Sequence, residues 1–185
     1  HIDFLTREIE ELDKEVEIRM LPFEESLVLL DGIPGVGLRV AQEIIAEIGV
    51  DMGRFPDASN LASWAGISPG NNESAGKRKP GKTSKGNKHL KSSLVEAARA
   101  AAKTKDTYLS AQYKRIAARR GKNRAAIAVG HSILIMAYHI IKNKESFAEL
   151  GSNYFTKQRE KAVTRNAVRR LESLGYEVTL MPKAS

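Results

Sequence analysis

The chain has 185 residues, with 30 Lys and Arg against 22 Asp and Glu for a net charge of +8, and 42% of its residues are hydrophobic. That is apolar material for one sizeable core or two small ones, which excludes disordered and fibrous classes. There is no cysteine, which excludes disulfides and thiolate metal ligands and fits a reducing compartment; His1, His89, His131 and His139 are too dispersed for a tight ligand cluster, so no metal site is expected in this chain.

From the start, Ile2, Leu5, Ile9, Leu12 and Val16 step by alternating threes and fours, with charged residues on the other faces. This heptad seam predicts a helical arm over residues 1–22, ended by Pro22. The arm is either a coiled coil that pairs chains or an amphipathic helix packed on its own domain. His1 stands inside the helical pattern with no initiator Met or leader, so the sequence reads as a fragment, and on that footing a dimerising arm is the better guess.

After the apolar run SLVLL, the stretch DGIPGVGLRVAQEIIAEIGV sets a Gly-Pro turn between two helical segments, the second burying Val40, Ile44, Ile45 and Ile48. This resembles the helix-hairpin-helix motif, in which glycines let the backbone approach a phosphate and amides at the start of the next helix donate to it. Gly35 and Gly37 are its candidate nucleic-acid contacts. A structural turn between two core helices would use the same residues, and residues 1–60 hold fourteen acids against five basic residues, which argues against a broad footprint here.

Residues 55 to 69, FPDASNLASWAGISP, predict a turn and a short helix. Trp64, the only tryptophan, reads as a core anchor facing Leu61 and Ile67 rather than as a base-stacking platform. Pro69, Gly70, Asn71 and Asn72 are turn formers that present Ser74 on a loop. There begins SAGKRKPGKTSKGNKHLK, with Lys77, Arg78, Lys79, Lys82, Lys85, Lys88 and Lys91 on a backbone held open by Gly and Pro. Between Lys77 and Arg124, sixteen Lys and Arg face two acids, Glu96 and Asp106. Each neutralised phosphate releases counterions, so this surface is expected to track nucleic acid, with Asn87 among the contacts. Ser92 and Ser93 are expected at a helix start, as capping or phosphate-contacting residues.

An alanine-rich helix follows, then one with Tyr108, Leu109, Tyr113 and Ile116 on one face and Lys114, Arg115, Arg119 and Arg120 beside them, stopped by Gly121. AAIAVGHSILIMAYHII reads as a buried central helix rather than a membrane span, with His131 and His139 as core or near-core residues near one face. The end combines a Gly-Ser-Asn turn, a basic helix from Tyr154 to Leu174, and an alternating stretch, GYEVTL, that predicts a short strand. Lys157, Arg159, Lys161, Arg165, Arg169 and Arg170 either extend the nucleic-acid surface or form a solvated helix face.

Taken in order, IPGVG with AQEIIAEIG, FPDASNLASWAGISPGNNESAGKRKPGKTSKGNKHLKSSLVEAA, RRGKNRAAIAVGHSILIMAYHII and FAELGSNYF resemble the C-terminal transposase region of the bacterial insertion-sequence "one-ten" family, over roughly residues 20 to 155. The resemblance implies an RNA-guided DNA recombinase with an N-terminal RuvC-like domain and a C-terminal domain holding an essential serine. Matching the family's Ser-Gly block to ESAGK implies Ser74 as the nucleophile, with the loop from Lys77 to Lys88 against the nucleic-acid backbone. It further implies acidic metal-binding residues on the RuvC-like domain. None of those residues is in this chain, so Mg²⁺ is expected only through that absent domain and no cofactor in the fragment itself. Lys91 stands where the block commonly has arginine, which keeps the charge and loses the bidentate fork.

The chemistry needs help that Ser74 has only in part. An alcohol is a weak nucleophile at neutral pH, and charge developing at phosphorus needs cations or a metal. Cations are near in sequence, but no base is evident; Glu73 serves only if the loop brings the two side chains together.

The expectation is therefore a mainly α fold: a helical arm (1–22), a helix-hairpin-helix plus compact helical bundle with a basic loop and the catalytic serine (23–145), and a short α/β C-terminal appendage (146–185). The expected partners are DNA, a structured guide RNA and further copies of the chain as a dimer or tetramer, without a membrane, in a bacterial or archaeal cytoplasm. A non-catalytic helix-hairpin-helix scaffold is the alternative. An RNA-binding module in which Tyr108 and Tyr113 stack on folded RNA is a third reading, compatible with the first.

Overall fold

The computed structural model describes residues 1–68, 73–74, 77–78 and 85–181, with 73–74 and 77–78 described by backbone alone. The described part is mainly α-helical: α1 (Ile2–Met20), α2 (Glu24–Asp31), α3 (Leu38–Ile48), α4 (Ala58–Trp64), α5 (Lys88–Ala101), α6 (Tyr108–Arg120), α7 (Lys122–Asn143) and α8 (Tyr154–Ser173). One antiparallel pair, β1 (Glu73–Ser74) and β2 (Lys77–Arg78), lies between α4 and α5.

The core forms around α7, whose Val129, Ile133, Leu134, Ala137, Tyr138 and Ile141 are buried. Each of the Val, Ile and Leu side chains among them contributes about 1.5–3 kcal/mol on leaving water. Helices α2, α4, α5 and α6 pack on α7, and α3 packs on α2 and α5. By length and composition α7 could cross a membrane, but 56% of its most apolar stretch is buried inside the fold, so its apolarity serves the core. Its C-terminal end is tied down. Tyr138 Oη donates to the Phe55 carbonyl at 3.1 Å, and Lys144, left-handed at φ 58°, reaches Glu25 at 3.1 Å and buried Ser26 at 3.2 Å.

Close approach to α5 rests on small residues. Ala97, Ala98 and Ala101 are fully buried on it, and Gly130 of α7 passes the Leu94 carbonyl so tightly that a Cβ would stand 3.1 Å from the oxygen. The loop between α2 and α3 does the same with Gly35, at φ +88°. A Cβ there would fall 2.4 Å from the Ala97 carbonyl oxygen and 2.5 Å from the Ala101 nitrogen. Gly35 is thus demanded by packing as well as by backbone conformation.

Asn87, Asp57 and Thr107 cap their helices by accepting from Leu90 N–H, Asn60 N–H and Ser110 N–H. The N-cap of α5 is therefore Asn87, and Ser92 and Ser93 lie beyond the helix start where they were expected. Ser93 is buried and donates to the His89 carbonyl at 3.1 Å.

Three other expectations change. Trp64 is 46% exposed, because Ala58, Leu61 and Ala62 take the core face of the short α4 and leave the indole at its edge, 5.8 Å from the Phe55 ring. His139 is exposed while His131 is half-buried; eight residues at 100° per step put them about 80° apart rather than on one face. Residues 176–181 form no strand, since a single alternating segment has no partner among the described residues. The C-terminal appendage there is helix α8 followed by a tail without regular secondary structure.

The arm is a regular helix, and no residue of α1 is buried. Its apolar residues, Ile2, Leu5, Ile9 and Leu12 among them, face solvent.

Candidate nucleic-acid interface

The basic segment leaves the helical core at the end of α4 and rejoins it at α5. On the leading side, Ile67 is buried, and both Ile67 N–H and Ser68 N–H donate to the Ala62 carbonyl, at 3.0 and 3.2 Å. On the returning side, Gly86 lies directly on that turn: a Cβ on it would meet Gly66 N at 2.3 Å and the Ala65 carbonyl carbon at 2.4 Å. Lys91 Nζ donates across to the Gly66 carbonyl at 3.4 Å. Asn87, while its Oδ1 caps α5, donates through Nδ2 to Glu47 of α3. The two ends of the segment are thereby pinched together, which closes the base of the loop.

Within the loop, the β1–β2 register sets Ser74 opposite Lys77 and Glu73 opposite Arg78. The side chains of these four residues, and Pro69, Gly70, Asn71, Asn72, Lys79, Lys82 and Ser84 altogether, lie outside the described residues. At the loop's return Lys85 and Lys88 are exposed, Asn87 and Lys91 partly buried. Lys88 opens α5, so its charge and the unpaired amides of that helix end favour an anion in the same place.

The two glycines of the hairpin part company. Gly35 is turned into the contact with α5. Gly37 is the exposed N-cap of α3, with nothing within 4 Å of where its Cβ would stand, and Arg39 in the first turn of α3 is almost wholly exposed, 3.8 Å from Glu43. Any phosphate contact by this hairpin falls to Gly37 and the first amides of α3. Beside it, a recess of about 360 Å³ between α3 and α5 is lined by Glu43, Glu47, His89, Ser92, Ser93 and Glu96. Its carboxylates repel phosphate, so this recess bounds the basic surface.

Among the described residues no cluster of three His, Asp or Glu suits a metal ion.

The structure defines a helical domain that carries a closed, cationic loop with a serine on its hairpin. Residues 28–114, from α2 to α6 with that loop at the centre, match the family described as Transposase IS116/IS110/IS902 family. The chain is also 28% identical over 140 residues to the transposase for insertion sequence element IS1111A of Coxiella burnetii (strain RSA 493 / Nine Mile phase I). That match covers 73% of this chain but 38% of the relative.

Proposed function

We propose that this chain is the C-terminal part of a DNA transposase or recombinase, which binds DNA and a structured guide RNA and supplies Ser74 as the nucleophile for strand cleavage and exchange. The observation that carries the reading is the loop at the centre of the family-matched segment: it is closed at its base, and its serine stands in register with a cation. A closed base limits the conformations the hairpin samples, which is what positioning a weak nucleophile requires.

In the proposed step, Ser74 Oγ attacks a DNA phosphorus. The Oγ–P bond forms as the bond from phosphorus to a deoxyribose oxygen breaks; the serine proton passes to a base, and the departing oxygen takes one up. Attack by a deoxyribose hydroxyl of another strand reverses the sequence and releases the serine, so the number of phosphodiester bonds is conserved. Lys77, Arg78, Lys85 and Lys88 offset the charge that develops on the phosphoryl oxygens. A metal held by a RuvC-like domain would add Lewis-acid help. The solvent-facing seam of α1 supports assembly of two or more copies, and action on chromosomal DNA fits a bacterial or archaeal cytoplasm.

A second, non-catalytic reading is favoured by the exposed N-cap at Gly37, a ready contact for a phosphate backbone without chemistry. The test is a strand-transfer assay with the full-length protein, its element ends and Mg²⁺, with adducts trapped under denaturing conditions. The proposal predicts a covalent protein–DNA adduct that Ser74→Ala abolishes. Undiminished strand transfer in Ser74→Ala would leave only the scaffold reading.

A further inference from the structure

Helix α8 is a 20-residue helix with no buried residue. Six basic residues stand on it against two acids, Glu160 and Glu172. All six are exposed, and none of them forms an ion pair among the described residues, although both acids are on the same helix. Four of the six, Lys157, Lys161, Arg165 and Arg169, recur at steps of four and line one open furrow of about 680 Å³, which Glu160 and Glu172 also line, so the cations outnumber the carboxylates there by four to two, and which Leu180 of the tail borders. Like charges four apart destabilise an isolated helix by about 0.2–0.5 kcal/mol per pair. A stripe of this kind is unfavourable alone and favourable against a polyanion.

The helix is nonetheless held at a defined angle. Phe155 stacks on Tyr108 of α6 at 4.9 Å and lies under Arg115, whose guanidinium carbon is 4.1 Å from the ring centroid. Glu149 accepts from both Tyr108 N–H and Gly151 N–H, at 2.7 and 2.8 Å, fixing the turn that precedes α8. The anchoring helix itself exposes Lys114, Arg115, Arg119 and Arg120, so the basic surface continues from α6 onto α8.

We propose that α8 is a second nucleic-acid contact, separate from the serine loop, which lies along the major groove of duplex DNA with the Lys157, Lys161, Arg165 and Arg169 stripe against one phosphate strand. The stripe runs about 18 Å along a helix of about 30 Å, a span of about five base pairs. A solvated single helix fits the roughly 12 Å wide major groove of B-form DNA, whereas the major groove of A-form RNA is too deep and narrow to admit it. The inference rests on the nucleic-acid part of the proposed function and not on the serine chemistry.

The test uses the 185-residue chain and a random-sequence DNA duplex of about 30 base pairs, titrated between about 0.05 and 0.2 M salt. The triple variant Lys161→Gln, Arg165→Gln, Arg169→Gln is expected to bind at least about tenfold more weakly and to flatten the slope of log affinity against log salt by about 2 to 3, near 0.9 for each lost phosphate contact. Because the substitutions remove repulsion within α8, helicity by circular dichroism should not fall, which separates lost contact from lost structure. The conservative variant Lys157→Arg, Lys161→Arg should keep the slope. Loop substitutions Lys85→Gln and Lys88→Gln, assayed beside these, report on the basic loop independently. If they weaken binding while the α8 triple variant matches wild type in affinity and slope, the loop reading stands and the α8 proposal is overturned. Tighter binding of wild type to an RNA hairpin or to anionic vesicles than to the duplex, with that preference lost in the triple variant, would also overturn it. Failure of wild type to bind duplex DNA at all overturns both.

Discussion

Gly86 lies so close to Gly66 that a Cβ on Gly86 would stand 2.3 Å from the Gly66 amide nitrogen. The two ends of an eighteen-residue stretch of mostly polar and charged chain, 68 to 85, are thus in van der Waals contact through backbone alone. No longer side chain can stand between them.

Gly86→Ala must therefore part the loop's base. The neighbours are backbone atoms, which cannot swing aside, so the expected cost to stability is about 1–3 kcal/mol. Covalent adduct formation should fall far more than duplex binding, since cations act at a distance whereas a nucleophile must be placed. Thermal melting and the denaturing adduct assay check the pair. Wild-type adduct levels in Gly86→Ala would show that the pinch does not position the hairpin.

Gly35 and Gly37, alike in sequence, should separate cleanly. Gly35→Ala meets the backbone of α5 at 2.4 and 2.5 Å at φ +88°, and the overpacking and left-handed terms together predict a loss of about 3 kcal/mol or more. Gly37→Ala meets nothing and gives up only an N-cap preference, about 0.5–1 kcal/mol. Urea midpoints of the two variants measure this. Equal losses would contradict the packing assigned to Gly35.

Trp64, the only tryptophan and 46% exposed, sits four residues before Ser68 at the start of the loop. Base stacking on an aromatic is worth about 1–3 kcal/mol by alanine substitution. Titration with a single-stranded oligonucleotide should quench its fluorescence and shield it from iodide. Emission and iodide access that stay unchanged at saturation would remove the indole from the interface.

Burial lowers the His131 pKa from the ordinary 6.5. A depressed histidine binds fewer protons folded than unfolded, so stability should be full above 6.5 and decline as pH falls below it. His131→Gln should flatten that part of the profile in a melting series. A variant with the wild-type slope would assign the pH dependence to other groups.

Much of the helical core was legible because its cues are local. The apolar run of α7 and the Gly121 stop state their own period and punctuation, as does the seam of α1 outside the core. What escaped was set by distance along the chain. Gly35 reads as a phosphate-approach glycine until Ala97 and Ala101, some sixty residues later, are brought against it. Trp64 reads as core by residue type, yet Leu61 and two alanines, Ala58 and Ala62, fill that face. Asn87 reads as a nucleic-acid contact among its basic neighbours, and nothing near it in sequence signals its bond to Glu47, forty residues earlier. The tail's alternating pattern was real, but a strand exists only where another strand pairs with it.

The most direct test is to digest the trapped protein–DNA adduct of the full-length protein and locate the nucleotide-bearing peptide by mass spectrometry. The account predicts a phosphodiester-linked nucleotide on Ser74, in the Glu73–Gly76 stretch. A nucleotide on Ser84, Ser92 or Ser93 instead, or strand transfer with no serine adduct, would contradict it.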